Sequence, residues 1–405
     1  MKNKLIIILA LVIILISGII GVSFIIKNTG TSDVPAVAQS DPSGNAASSP
    51  TVSEDVYSIL PRASIKVESL EEESLRITAV GDILLGRGVG SRLKNENKDF
   101  IYPFLEVADI LKKGDIVFGN LEEPITASTR SLVGIKQGGK YVLKNDVEAM
   151  EGLKYAGFNL FSLANNHILD YYEQGLYDTI SILDENGIAY SGAGKNMEEA
   201  RKPAIVEKKN VKIGLLSYTD MSEVTYKGNP PLMFIAGKDK AGVAPRPVKF
   251  NDFIKSDIEA VRDEVDILMV SLHWGVEESF EVLKSQREFA YSLIDSGVDV
   301  VLGHHPHQFQ GIEFYKDKPI FYSLGNFIFD QNDPENQEAF IINMDFKNND
   351  LTDLEAIPVR TINKTQVVPQ TGQNAKAMLE REQNLCNSLK SKCFIKDDKL
   401  IFDID

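Results

Sequence analysis

Each of the five histidines in this chain stands just past, or at the end of, an apolar run as short as a buried strand. His167 follows such a run in FSLANNHILD, His273 in LMVSLHWGVE, and His304, His305 and His307 leave the run VDVVLGHHPH. Two carboxylates occupy the same kind of place, Asp82 in RITAVGDILLG and Glu122 in DIVFGNLEEP. Ligand-type side chains at the carboxyl ends of apolar strands belong to layered α/β folds, where one sheet edge carries the binding cleft. The pattern therefore predicts several strand ends converging on one site.

From Ser74 to about Phe329, strand-like runs alternate with helical spacing. Strands are expected at LRITAVGD, DIVFGNLE, NLFSLANN and VDILMVSLHW, and at Val298–Leu302, where Gly303 is read as the turn that ends the strand. Helices are expected over Asn145–Ala156, with Val147, Met150, Leu153 and Ala156 on one face, and over Glu173–Glu185, Asn251–Val261 and Ser285–Ser296. Residues 204–218 read as a hairpin turning at Lys208-Lys209-Asn210, and a second hairpin turns at Lys316-Asp317. The proline-interrupted segment 222–250 reads as a long loop, a lid or a recognition insert. Antiparallel strands and a helix over Ala375–Leu389 close the chain.

Leu5–Ile26 is 22 residues without a charge, enough at about 1.5 Å per residue to cross a hydrocarbon core of roughly 30 Å. Lys2 and Lys4 precede it, which favours an anchor with its amino end inside. A cleavable signal is the competing reading, but Ala36-Val37-Ala38 lies far from the apolar core. Residues 28–56 are rich in Ser, Ala, Pro and Gly, a tether that cannot bury a core. The expected organisation is a tip and transmembrane anchor at 1–27, a linker at 28–74, a main domain at 75–345, and C-terminal strands and a helix at 346–405 packed on it. This implies a single-pass protein of the cell membrane with its globular part outside. The net charge of −15 argues against nucleic acid as a partner. Cys386 and Cys393, the chain's two cysteines, have two readings: a pair in an oxidising compartment, or free thiols.

A two-ion centre needs ligands from several strands and a carboxylate between the ions. Asp82, Glu122, Asn166, His273, His305 and His307 are the predicted metal ligands, with Glu122 bridging and one of His305 and His307 for each ion. Asp115 begins the strand that Glu122 follows, so it belongs to the opposite sheet edge. His167 is read as the general acid for the leaving group, with Asp170 orienting it. Arg87, Asn120 and His304 are the expected substrate contacts. Trp274 either walls the pocket or packs, and Glu277 is either a support for the site or a solvated acid. The glycines of GDILLGRGVG lack dinucleotide-fingerprint spacing and predict a tight strand-to-helix connection. No Gly-x-Ser-x-Gly elbow is present, so a serine-nucleophile hydrolase is disfavoured.

The blocks AVGDILL, FGNLEEPIT, SLANNHILD, SLHWGVE, LGHHPH and YSLGNF, in that order over about 75–330, resemble the CapA (PgsA) capsule-synthesis family. That family is associated with poly-γ-glutamate capsules and is similar to calcineurin-like metallophosphoesterases. The resemblance implies a four-layer α/β/β/α sandwich and two divalent ions, manganese, iron or zinc. It also implies a place beside a polymer synthase and exporter at the outer membrane face. Leu84 stands where the wider group carries a histidine, and Glu122 where it carries an aspartate. Two other functions fit the same residues: a metallophosphoesterase acting on an unrelated phosphoester, and a scaffold of this fold without catalysis.

Overall fold

The computed structural model describes residues 74–136, 140–226 and 228–404. The expected anchor and tether lie outside them, and among the described residues no helix is long and apolar enough to cross a membrane. The chain runs through β1 (Leu75–Ile83), α1 (Arg87–Asn95), β2 (Ile116–Leu121), α2 (Ala149–Ala156), β3 (Leu160–Ser162), α3 (Tyr172–Glu185) and β4 (Ala189–Ser191). It continues through β5 (Ala204–Lys208), β6 (Val211–Thr219), α4 (Asp252–Arg262), β7 (Ile267–His273), α5 (Lys284–Asp295) and β8 (Val300–His304). Next come β9 (Ile312–Tyr315), β10 (Lys318–Phe321), β11 (Asn326–Ile328), β12 (Glu338–Lys347), β13 (Asp350–Ile362) and β14 (Gln366–Pro369). Helix α6 (Gly372–Ser388) and strands β15 (Cys393–Lys396) and β16 (Lys399–Phe402) complete it.

This is a mixed α/β protein with two large sheets. The first runs β15-β16-β13-β12-β1-β2-β3-β4, with β11 added beside β1 and β14 beside β13. The second runs β9-β10-β8-β7-β6-β5. Strands β1 to β4 are mutually parallel, as are β6, β7 and β8, so their carboxyl ends share an edge within each sheet. Alternation along the strands divides the core. Val80, Ile83, Val117 and Phe161 join apolar residues of α1 to α3. Ile77, Ala79, Ile116 and Phe118 meet Ile213, Leu215, Met269 and Leu302 of the other sheet. Leu216, Leu268, Val270 and Val301 pack on Ile254 and Ile258 of α4 and on Phe289 and Leu293 of α5.

Both expected hairpins form, β5–β6 and β9–β10, and their turn residues Lys209, Asn210, Lys316 and Asp317 all have positive φ, the conformation of a tight two-residue turn. Segment 222–250 contains only two-residue strands. Two details differ from expectation. Helix α2 begins at Ala149 because Asn145 is already engaged as strand: its N–H donates to Pro124 O at 2.8 Å and its O accepts from Thr126 N at 3.1 Å. Gly303 lies inside β8, where it does not turn the chain. A Cβ there would sit 2.0 Å from Tyr322 O, so glycine is required by the close approach of a neighbouring backbone. Residues 346–405 extend the first sheet, and β12, which begins before them, pairs directly with β1.

Candidate metal centre

Strand register brings the acids and imidazoles together. Asp82 in β1 is level with Asn120 in β2 and Asn326 in β11, and His273 at the end of β7 is level with His304 at the end of β8. Asp82 is fully buried; its Oδ1 accepts from Asn120 Nδ2 at 2.8 Å and lies 3.1 Å from His304 Nδ1. Asp82, Glu122 and His307 each offer a ligand atom, all within 4.8 Å of one another. His273 Nε2 is 2.9 Å from Asn166 Oδ1 and 3.9 Å from Glu122 Oε1. The His305 ring centre lies 4.8 Å from that of His273 and 6.2 Å from that of His307. All six predicted ligands therefore meet in one buried cluster. His305 and His307 have φ of +98° and +62° around Pro306, left-handed conformations that cost about 1–3 kcal/mol each and persist only where the surroundings fix them.

Protonation within the cluster is uneven. Burial, and next the charge of Asp82, push the Glu122 carboxyl well above its ordinary range. Burial also opposes the charge of Asp82, but the hydrogen bond from His304 and the imidazoles of His304, His273 and His307 around it together outweigh burial and hold that carboxyl low. Without a cation the pair thus shares one proton, as closely placed acids do. Burial, and next His305, lower His273; burial, and next His307, take His305 down to about 3. His273 and His305 are therefore neutral at ordinary pH, the form that ligates a metal.

Both Glu122 oxygens are buried and find no hydrogen-bond partner among the described residues. A carboxylate in that state is strongly disfavoured unless something charged completes it. The donor set is two carboxylates, one amide oxygen and three imidazoles, which suits a divalent ion of the manganese, iron or zinc kind. Asn326 supports the same end: its Nδ2 donates to Gln331 Oε1 at 2.9 Å and Asn336 O at 3.0 Å, which orients the amide. Its Oδ1 then accepts from His307 Nδ1 at 2.9 Å, leaving Nε2 of His307 for a ligand.

His167 belongs to a second group beside the cluster. Its Nδ1 is 2.8 Å from Asp170 Oδ2, which also accepts from Leu143 N at 2.7 Å. Asp170 Oδ1 is ion-paired with fully buried Lys136, whose Nζ donates as well to Asn166 O at 3.0 Å. Burial, and next the Lys136 charge, lower His167 to about 4. His167 and His307 line a cavity of about 520 Å³ whose wall includes Arg87, Tyr141, Glu277 and Phe329. Arg87 Nε donates to Asp330 Oδ2 at 2.8 Å, and its Nη1 donates to Lys140 O at 2.8 Å.

Two expected substrate contacts are placed elsewhere. Asn120 and His304 are fully buried beneath Asp82 and do not line the cavity, because hydrogen bonding to its carboxylate occupies them on the protein side. Trp274 packs: it is buried, and its Nε1 donates to Tyr322 O at 3.0 Å. Glu277 is exposed on the cavity wall. Asp115 lies at the other end of β2, accepting from Arg76 N and Lys209 Nζ at 2.9 Å each. Leu84 is buried in the helix-side core, away from any ligand role. Sequence reasoning missed Lys136, Glu123, Asn165, Asn326 and Asp330. Asn326, in the block YSLGNF, and Asp330, directly after Phe327-Ile328-Phe329, carried a signal, since each stands at the end of an apolar run. Glu123 accepts from Gly86 N at 2.9 Å and so fixes the turn that presents Arg87.

A mixed α/β protein whose two sheets deliver acids, an amide and imidazoles from strand ends into one buried cluster beside a cavity is the class that the fold and site define. Residues 76–331 match the family described as bacterial capsule synthesis protein PGA_cap, and the chain belongs to that family, the CapA (PgsA) capsule-synthesis family. It is similar to the PGA biosynthesis protein CapA of Bacillus subtilis (strain 168), 32% identical over 342 residues, 84% of this chain and 85% of that one. The capsule biosynthesis protein CapA of Bacillus anthracis is 30% identical over 340 residues, 82% of this chain and 79% of its own. A probable polyglutamine synthesis accessory protein of Mycobacterium tuberculosis (strain CDC 1551 / Oshkosh) is 29% identical over 298 residues, 64% of this chain and 76% of its own.

Proposed function

We propose that this chain serves capsule biosynthesis as an accessory of poly-γ-glutamate synthesis, with a divalent-metal hydrolase centre in a metallophosphoesterase-like four-layer sandwich. Leu5–Ile26 would hold it at the cell membrane as a single-pass anchor, the linker at 28–74 standing the domain off on the outer face beside synthase and exporter subunits. The names of the relatives support the capsule role. The observation that carries the metal centre is Glu122, whose two buried oxygens lack partners among the described residues while Asp82, Asn166, His273, His305 and His307 surround it.

Asp82 and His307 would hold one ion and Asn166, His273 and His305 the other, with Glu122 between them. Bound there, two divalent ions would supply Lewis acidity to the scissile group and to the attacking water. His167, oriented through Nδ1 by Asp170, presents Nε2 to the cavity and hands a proton to the leaving group. Because burial and Lys136 keep its imidazole neutral, that proton is loaded when an anionic substrate offsets the Lys136 charge. Arg87, clamped by Asp330, shapes the wall.

Metal analysis of purified protein, followed by turnover of model phosphoesters and a γ-glutamyl amide with manganese, tests this reading. His167→Ala is expected to keep the metal and to lose about 10²–10⁴-fold in rate. Protein that binds no divalent ion and turns over neither substrate class would leave a scaffold of the same fold.

A further inference from the structure

Cys386 lies on α6, fully buried, and Cys393 opens β15, half-buried. They are the chain's only cysteines, and both are free thiols. Six residues separate them, and the chain returns on itself through Lys390 at φ +69°, with Ser391 N donating to Cys386 O at 3.0 Å. Gln383 Nε2, one turn earlier on α6, donates to Cys393 O at 3.0 Å and holds the strand against the helix. Cys393 packs on the core cluster that contains Cys386. Cys386 Sγ also accepts from Ile312 N at 3.3 Å. At Gly311 a Cβ would meet the backbone carbon of Leu385 at 2.8 Å, so the segment leaving His305 and His307 rests directly on α6. The sulfur pair thus sits where the C-terminal helix, the edge hairpin β15–β16 and the histidine segment meet.

We propose that Cys386 and Cys393 are an oxidation site that forms an intramolecular disulfide on meeting a glutathione-type disulfide, a staple tying the edge hairpin to α6. The polarity of the pair sets the order of events. Cys393 beside it, and next burial, hold the Cys386 thiol up, whereas Cys386 lowers Cys393. Cys393, the more accessible and more acidic, attacks the external disulfide as thiolate and expels one glutathione thiolate. Cys386 then gives up its proton and attacks the Cys393 sulfur, expelling the second glutathione. Two protein thiols are oxidised, one glutathione disulfide is reduced to two thiols, and the chain loses two hydrogens. The site is independent of the metal cluster, so it stands whether or not the chain is a hydrolase.

The test uses the folded full chain, incubated with oxidised glutathione, quenched by alkylation and read by intact mass and peptide mapping. The expected product has lost two hydrogens, carries no glutathione, takes up no alkylating agent, and yields a peptide joining Cys386 to Cys393. Cys386→Ser should instead trap glutathione on Cys393. Retention of two alkylatable thiols in the wild type overturns the proposal. A stable glutathione adduct on wild-type Cys393, or dimers joined between chains, overturns it equally.

Discussion

Replacing Glu122 by glutamine changes stability with a sign that depends on what fills the cluster. Without metal, both carboxyl oxygens are buried and unpartnered among the described residues, and burial, then Asp82, raise the group well above its usual 4.5. The folded chain then keeps a proton that the unfolded chain has released. Stability is complete below the unfolded value and falls as pH rises. Each pH unit over which the states differ by one proton removes about 1.4 kcal/mol. Between about pH 5 and about pH 7 the wild type therefore loses at most about 2.7 kcal/mol that the non-titrating glutamine keeps. Glu122→Gln in EDTA is expected to be the more stable protein near neutral pH, with the gap closing toward about pH 5.

Divalent metal should reverse that order. An ion bound only to the folded state, at a concentration of a hundred times Kd, adds about 2.7 kcal/mol. Glutamine removes the charged oxygens between the predicted sites, so the variant should gain little from the same ion. Urea titrations followed by the fluorescence of Trp274, the single tryptophan and fully buried, read both effects in EDTA and in manganese. A variant less stable than wild type in EDTA near pH 7, or one keeping the whole metal-induced gain, refutes the reasoning.

Lys136→Met strips the buried Asp170 of its paired cation and should destabilise by about 3–5 kcal/mol in urea. Adding Asp170→Asn should recover part of that loss, and strictly additive effects would count against a coupled pair. Gly303→Ala sets a methyl 2.0 Å from Tyr322 O and 2.5 Å from its carbonyl carbon, backbone atoms that no rotamer can move aside. Its urea midpoint should fall by the equivalent of about 3 kcal/mol. Gly134→Ala, with nothing within 4 Å of the new carbon among the described residues, should stay within about 0.5 kcal/mol. Burial pushes Glu382 up to about 8 despite Arg381 beside it. Stability should therefore decline as pH rises from about 4.5 to about 8, and Glu382→Gln should flatten that limb of a urea-midpoint profile; an unchanged slope would sink the assignment.

The meeting of these side chains was legible in the sequence because they sit where a periodic pattern stops. Asp82, Glu122, His273, His305 and His307 all follow apolar runs, and parallel strands bring their carboxyl ends to one edge of each sheet, so position along four separate runs encodes proximity in space. The helices were legible for the same reason, to within a few residues. What lay outside the pattern was whatever depends on one loop meeting another. Lys136 sits in SLVGIKQGG with no period to mark it, and becomes a buried cation only because its loop folds over Asp170. Asn145 fits a helical face in one dimension, yet its backbone is taken by Pro124 and Thr126.

His304 shows where the inference from strand ends to substrate goes astray. A residue at a strand's carboxyl end can face the cleft or the space between the sheets, and period-2 alternation makes neighbours face opposite ways. His304 is still in the strand, level with His273, and its ring meets Asp82 from the protein side at 3.1 Å. His305 and His307 leave the strand through positive φ angles and escape that alternation, which lets both rings join one cluster. The two histidines that look most alike in sequence, His304 and His305, thus differ in role because a strand ends between them. The strand ends at His304 and the chain turns at His305, so the glycine that looked like a turn lies inside the strand, where the close approach of Tyr322 requires it.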